Sequence, residues 1–189
     1  MKTYLKIALA TGIIFISESC LTIGTAIDRN ISTNSNKELD KIIVDGPGNA
    51  VNYINRFKSI AVAEMKRTGV PASIKLAQGI LESGYGSSEL AKKANNHFGM
   101  KCGGQWSGKT YDLKGSCYRA YNNADVCYRE HSEFLKRKHY EALFKLKKTD
   151  YKGWAKGLQK AGYATDKNYP AKLIELIERY KLYRFDELG

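Results

Sequence analysis

What this chain lacks closes off several chemistries. With four cysteines and three histidines in 189 residues, it has no C-x-x-C pair and no His-x-x-x-His, so no metal site and no cofactor is expected. His97, His131 and His139 are scattered and read as structural or surface residues. No internal repeat is read in the sequence. Its long apolar run, Ile7 to Ile16, is too short to cross a bilayer comfortably. Acidic residues are scarce: 19 Asp and Glu stand against 31 Lys and Arg, for a net charge of +12. Such a surface favours a polyanionic partner, whether nucleic acid, anionic membrane or acidic wall polymer.

The N-terminus chooses among these. Lys2 and Lys6 precede the apolar run, the layout of a secretory signal over residues 1–26. Gly24-Thr25-Ala26 reads as an ordinary cleavage site. Ser17-Glu18-Ser19-Cys20 reads as a lipoprotein site, with Cys20 as the lipidated, membrane-anchored residue. Both processing routes export the protein to the periplasm, envelope or medium, which argues against nucleic acid as the partner. Export also favours oxidised cysteines. Without Cys20, an odd set of Cys102, Cys117 and Cys127 remains.

Residues 27–49, rich in Asn, Ser, Thr and Asp and ending in Asp45-Gly46-Pro47-Gly48, read as a flexible tether with a short ordered patch at Ile42-Ile43-Val44. The folded domain then spans 50–189. Ile54, Phe57, Ala61 and Met65 recur at helical spacing, predicting a first helix over Ala50 to Arg67. Pro71 opens a second helix to Ser83, burying Ile74, Ala77 and Leu81, and Ser88 caps a third through Ala94. From Met100 to Tyr121 the period changes to two, with turns at Gly103-Gly104 and Lys114-Gly115. This predicts a hairpin or three-stranded sheet with Tyr111-Asp112-Leu113 on its middle strand. So small a sheet is marginal alone. A Cys102–Cys117 disulfide would staple it, contributing roughly 3 kcal/mol by loop closure. Cys117–Cys127 is the alternative, disfavoured because Cys127 falls on a buried helix face. Helices follow over Ala124 to Lys138, around Tyr140 to Lys147, after Asp150, and from Pro170 onward. The expected class is α+β, mostly helical with a small antiparallel β-lobe.

Glu82 is the leading chemical candidate. It lies in the last turn of an apolar helix, where the negative end of the dipole and the desolvating Ile80 and Leu81 both raise a carboxyl pKa. A raised carboxyl is what a general acid for glycoside cleavage needs. The competing reading is an exposed last-turn glutamate before a glycine stop.

Glu82-Ser83-Gly84-Tyr85-Gly86, Asn96-His97-Phe98-Gly99-Met100-Lys101 and Gly162-Tyr163-Ala164-Thr165-Asp166 through Tyr169 occur in that order. Together they resemble the glucosaminidase domain of glycoside hydrolase family 73, over about residues 50–186. The resemblance implies a lysozyme-like fold, with a glycan groove between a helical lobe and a β-lobe. It implies cleavage of the β-1,4 bond after N-acetylglucosamine in peptidoglycan by a monomeric enzyme without cofactor. Glu82 matches the family's general acid, and Tyr163 and Tyr169 match its groove-loop tyrosines, Tyr163 as a catalytic candidate. Tyr85 and Phe98 are expected to bind substrate, Phe98 with core packing as its alternative. Trp106 either stacks on a sugar or packs the β-lobe. The family often sets an acidic residue across the groove, but this turn reads Lys114-Gly115-Ser116-Cys117, and Ser116 cannot act as a base. Asp112 is the candidate in its place, with the substrate's 2-acetamido group as the alternative nucleophile. Glu130 and Glu133 read as ion-pair residues. Competing functions are a lytic transglycosylase and a non-catalytic, peptidoglycan-binding envelope protein.

Overall fold

The structure, a computed structural model, describes residues 37–189 except Gln105. The expected signal and Cys20 lie outside the described residues. The chain enters through a helical turn at residues 37–41. Leu39, Ile42 and Val44 are buried in the main core. Residues 39–44 therefore belong to the packed unit and are not free tether. Three apolar side chains suffice for this, although their spacing is too short to signal it.

The core is built around a helix buried on almost every side. Helix α1 (Gly48–Thr68) turns at Gly69, in the left-handed region at φ 86°, into α2 (Ala72–Ser83). Every residue of α2 from Ala72 to Ile80 is buried. A helix apolar nearly all round belongs inside a fold, and α2 is enclosed by α1, α5 (Tyr151–Lys160), α6 (Tyr169–Arg179) and the terminal 3₁₀ helix (Leu182–Leu188). Gly79 allows the closest approach. A Cβ there would lie 2.4 Å from the Tyr53 hydroxyl and 2.8 Å from that of Tyr128.

Burial of the start of α2 demands partners for its free backbone N–H groups. At the N-terminus Asp186, from the last segment of the chain, supplies them. Its Oδ1 accepts the Ser73 N–H at 2.8 Å and its Oδ2 the Ser73 hydroxyl at 2.6 Å. Desolvation pushes the Asp186 carboxyl up from the usual 3.8 to about 7, against the Ser73 and Ala72 hydrogen bonds. Replacing Asp186 by Ala strands both Ser73 groups and should cost about 1–3 kcal/mol, read as a lower Tm. The folded carboxyl holds its proton where the unfolded one has lost it, so the wild type gives up stability as pH rises from about 4 through about 7. The penalty for Asp186→Ala should therefore be larger near about pH 5 than near about pH 8.

Helix α3 (Glu89–Ala94) is capped as expected by Ser88, whose hydroxyl accepts the Ala91 N–H at 3.2 Å. The β-lobe is two antiparallel strands, β1 (Thr110–Leu113) and β2 (Ser116–Arg119), in the register Thr110 to Arg119 through Leu113 to Ser116. A single bridge, Lys101 to Tyr118, stands where a third strand would lie. The disulfide joins Cys102 to Cys117, leaving Cys127 free and buried. Asn96 ties this lobe to the helices. Its amide donates to the Met100 and Arg119 carbonyls at 2.9 and 2.8 Å, while its Oδ1 accepts the Met100 N–H. After β2 come α4 (Ala124–Leu135) and a 3₁₀ helix (Lys138–Lys145).

Candidate active site

The chain leaves α2 through an unusual turn. Gly84, Tyr85 and Gly86 are successive left-handed residues, at φ 55°, 59° and 77°. Glycine accepts this region freely, whereas a side chain there costs about 1–2 kcal/mol. Ser83 holds the turn in place. Its buried hydroxyl donates to the Gly79 carbonyl at 2.5 Å and accepts the Gly86 N–H at 2.7 Å. The effect is to end the helix abruptly with Glu82 beside a groove of about 1240 Å³.

The groove is lined by the end of α2, with Leu81 and Glu82, by Phe98, by the β-lobe, with Met100 to Gly104, Tyr118 and Arg119, and by Tyr163 to Asp166, Tyr169 and Lys172. Glu82 is exposed as a residue, but the protein crowding its carboxyl raises its pKa by desolvation; a hydrogen bond from Tyr169 only partly offsets this. That bond runs from the Tyr169 hydroxyl to Glu82 Oε1 at 3.1 Å. Tyr169 in turn accepts from Gln78 Nε2 at 3.0 Å. Tyr163 stacks on Tyr169, centroids 5.6 Å apart, and its hydroxyl meets His131 Nε2 at 2.9 Å. Burial and the neighbouring Tyr169 and Glu82 hold the Tyr163 phenol well above its usual pKa, so it stays a hydrogen-bond donor.

Comparison with known proteins bears on this geometry. The glucosaminidase family model, described as mannosyl-glycoprotein endo-beta-N-acetylglucosaminidase, matches residues 58–182. The chain belongs to the glucosaminidase family. The exo-glucosaminidase LytG of Bacillus subtilis is 36% identical over 155 residues, covering 72% of this chain and 54% of the relative. Among solved structures, the catalytic domain of the autolysin Auto from Listeria monocytogenes superposes with a TM-score of 0.65 at 25% identity, covering 81% of this chain and 96% of that one. The glycoside hydrolase domain of Salmonella typhimurium FlgJ gives 0.60 at 28% identity, covering 70% and 88%. The chain spans about half the length of the curated relatives it matches. The expected lysozyme-like, mostly helical fold with a small β-lobe is the one observed.

In this chain the groove gathers Glu82, Phe98, Tyr163 and Tyr169, but not every expected residue. Phe98 is 5% exposed: it lines the groove while its other contacts are core rings. It stacks on His131 at 3.9 Å with planes 7° apart. Asp112 does not line the groove. It pairs with Cys117 in the hairpin, and its Oδ1 accepts the Gly115 N–H at 3.2 Å, so it braces the turn. Trp106 is also outside. It packs edge-on against Tyr121 and donates to the Lys109 carbonyl, with the Arg119 guanidinium 4.7 Å over its ring. Tyr85 lines a separate cavity of about 480 Å³ with Tyr53, Arg56 and His97. Glu130 and Glu133 pair with Arg119 and Arg67, as expected.

Residues that pattern reading passed over are Gln78, Lys75 and His131. Lys75, Gln78 and Glu82 stand at i, i+3 and i+7, a polar stripe along one face of an otherwise apolar helix. That stripe is the signal that points to Lys75 and Gln78; His131, on α4, lies outside it. Arg137, Lys101 and Lys172 give the groove a basic rim suited to an anionic polymer. Asp166 also lines it, but is bound to Lys172 at 2.8 Å and to the Asn168 N–H at 2.8 Å.

Proposed function

We propose that this chain is an exported endo-beta-N-acetylglucosaminidase that cleaves the β-1,4 bond after N-acetylglucosamine in peptidoglycan glycan strands. The observation that carries this reading is Glu82: a carboxyl with a raised pKa, oriented by Tyr169, lining a groove of about 1240 Å³. With Oε1 occupied by the Tyr169 hydroxyl, Oε2 carries the acid proton and delivers it to the leaving glycosidic oxygen as the C1–O bond breaks. Among the described residues the other groove carboxylate, Asp166, is committed to Lys172. This favours attack on C1 by the carbonyl oxygen of the sugar's own 2-acetamido group. Water then opens the resulting ring, returning its proton to Glu82. Tyr163 donates a hydrogen bond to the reacting sugar.

Export rests on Lys2, Lys6 and the run from Ile7 to Ile16, and anchoring on Cys20. Intact mass of the exported protein distinguishes a lipidated Cys20 from cleavage after Ala26.

The test of the activity is product analysis. Purified peptidoglycan treated with the protein should yield glycan fragments with reducing N-acetylglucosamine ends by mass spectrometry. Anhydro-muramic ends would replace this reading with a lytic transglycosylase, and intact strands with bound protein would make the groove a binding site.

A further inference from the structure

Lys75 is fully buried, two helical turns before Glu82 on α2. Its ammonium donates to the Tyr128 carbonyl at 2.6 Å and meets His131 Nδ1 at 3.0 Å, while the rings of Phe98 and Tyr128 lie 4.9 and 5.3 Å from Nζ. His131, also fully buried on α4, reaches Tyr163 through its other nitrogen at 2.9 Å. A buried charge is expensive, and among the described residues no carboxylate forms an ion pair with Lys75. The cation is held instead by a carbonyl, an imidazole and two aromatic faces.

We propose that Lys75 and His131 are positioning residues that fix the direction of the Tyr163 hydroxyl proton, aiming it into the groove. The proposal rests on the reading of that groove as the active site. An ammonium can only donate. His131 Nδ1 must then accept, which places the imidazole proton on Nε2. Nε2–H donates to the Tyr163 oxygen, so the phenol's own proton has to point elsewhere. The Tyr163 hydroxyl makes no other hydrogen bond among the described residues, which leaves that proton for an acceptor oxygen on the bound sugar. If Lys75 were the neutral amine, its lone pair could accept from Nδ1–H and the imidazole could take its other tautomer. Nε2 would then accept, and the phenol proton would turn back into the core.

The surrounding groups are consistent with this. Burial pushes Lys75 down to about 7; Glu64 on α1 and Cys127 on α4 pull it back up, and Arg67 on α1 lowers it. Burial and Lys75 hold His131 well below the usual 6.5, so it stays neutral and acts through its tautomer. Around Tyr163 stand Tyr169, Glu82, Tyr140 and Cys127.

Two measurements test the proposal. In the wild-type protein at about pH 6, where Lys75 is protonated, the imidazole nitrogen chemical shifts of His131 should report a protonated Nε2 and a bare Nδ1. The opposite tautomer would overturn the proposal, whether or not the protein cleaves peptidoglycan, so this result stands apart from failure of the activity reading. The second measurement is a double-mutant cycle on glycan cleavage. Lys75→Met should lower kcat on the order of 10–10²-fold with KM little changed, and should have no further effect in a Tyr163→Phe background. A structural role alone would lower activity equally in both backgrounds, and that outcome would sink the proposal. If Lys75→Met does not fold, His131→Gln enters the same cycle with the same expectation.

Discussion

Glu82→Gln should lower peptidoglycan cleavage about 10²–10⁴-fold, the range that a positioned general acid supplies, while leaving the fold intact. The amide matches the carboxyl in shape and can still accept the Tyr169 hydroxyl through its oxygen. It cannot deliver a proton to a leaving oxygen. Because Glu82 is exposed and α2 is anchored by residues 72–80 and by Ser83, the variant loses no core contact. Turnover of purified glycan strands measured beside Tm separates the two effects; wild-type turnover in the variant would remove Glu82 from the mechanism. The pH profile adds a sign. The acid must be protonated to act, and desolvation raises its pKa, so activity should persist above the ordinary carboxylic range and fall as pH rises through the raised value. Linkage runs the same way. A raised folded-state pKa lends stability at low pH that is lost as pH rises through that value. The Gln variant lacks this loss, so at alkaline pH it should be at least as stable as the wild type, the usual trade at a functional site.

The position of Glu82 at the end of α2 was legible in the sequence because what sets it is local. The apolar run before it, its place in the last turn and the Ser-Gly-Tyr-Gly stop all fall within about ten residues. The helices followed from three- and four-residue spacing, and the Cys102–Cys117 staple from an odd cysteine count and one buried helix face. Asp112 lies away from the groove in keeping with the alternation of its strand: Thr110 and Asp112 are exposed while Tyr111 and Leu113 are half-buried, and the opposite residues Cys117 and Tyr118 follow the same faces. Tyr85 is the middle of three consecutive left-handed residues and lines a separate cavity with Tyr53 and Arg56, a placement that a motif does not encode. Trp106 sits in a loop where orientation comes from Tyr121 and Arg119, both distant in sequence. The polar stripe Lys75, Gln78 and Glu82 was visible in principle. Its meaning depends on His131, Tyr163 and Tyr169, which only the folded chain brings to it.

Tyr163→Phe should reduce kcat about 10²-fold, the cost of removing one preorganised donor from a developing charge, with a small change in KM. The ring remains stacked on Tyr169 and beside Phe134 and Tyr140, so the loop after Gly162 should keep its place. What is lost is the hydroxyl, and with it the partner of the buried His131 Nε2. The stranded N–H should cost about 1–3 kcal/mol, visible as a lower Tm. Tyr169→Phe gives the contrast. Its hydroxyl lowers the Glu82 pKa and satisfies Gln78 Nε2, so removing it should shift the alkaline limb of activity upward while the acid itself remains. The two tyrosines thus differ in readout: loss at Tyr169 moves the pH profile, and loss at Tyr163 lowers its height. Equal shifts of the profile in both variants would mean that Tyr163 acts on Glu82 and not on the sugar.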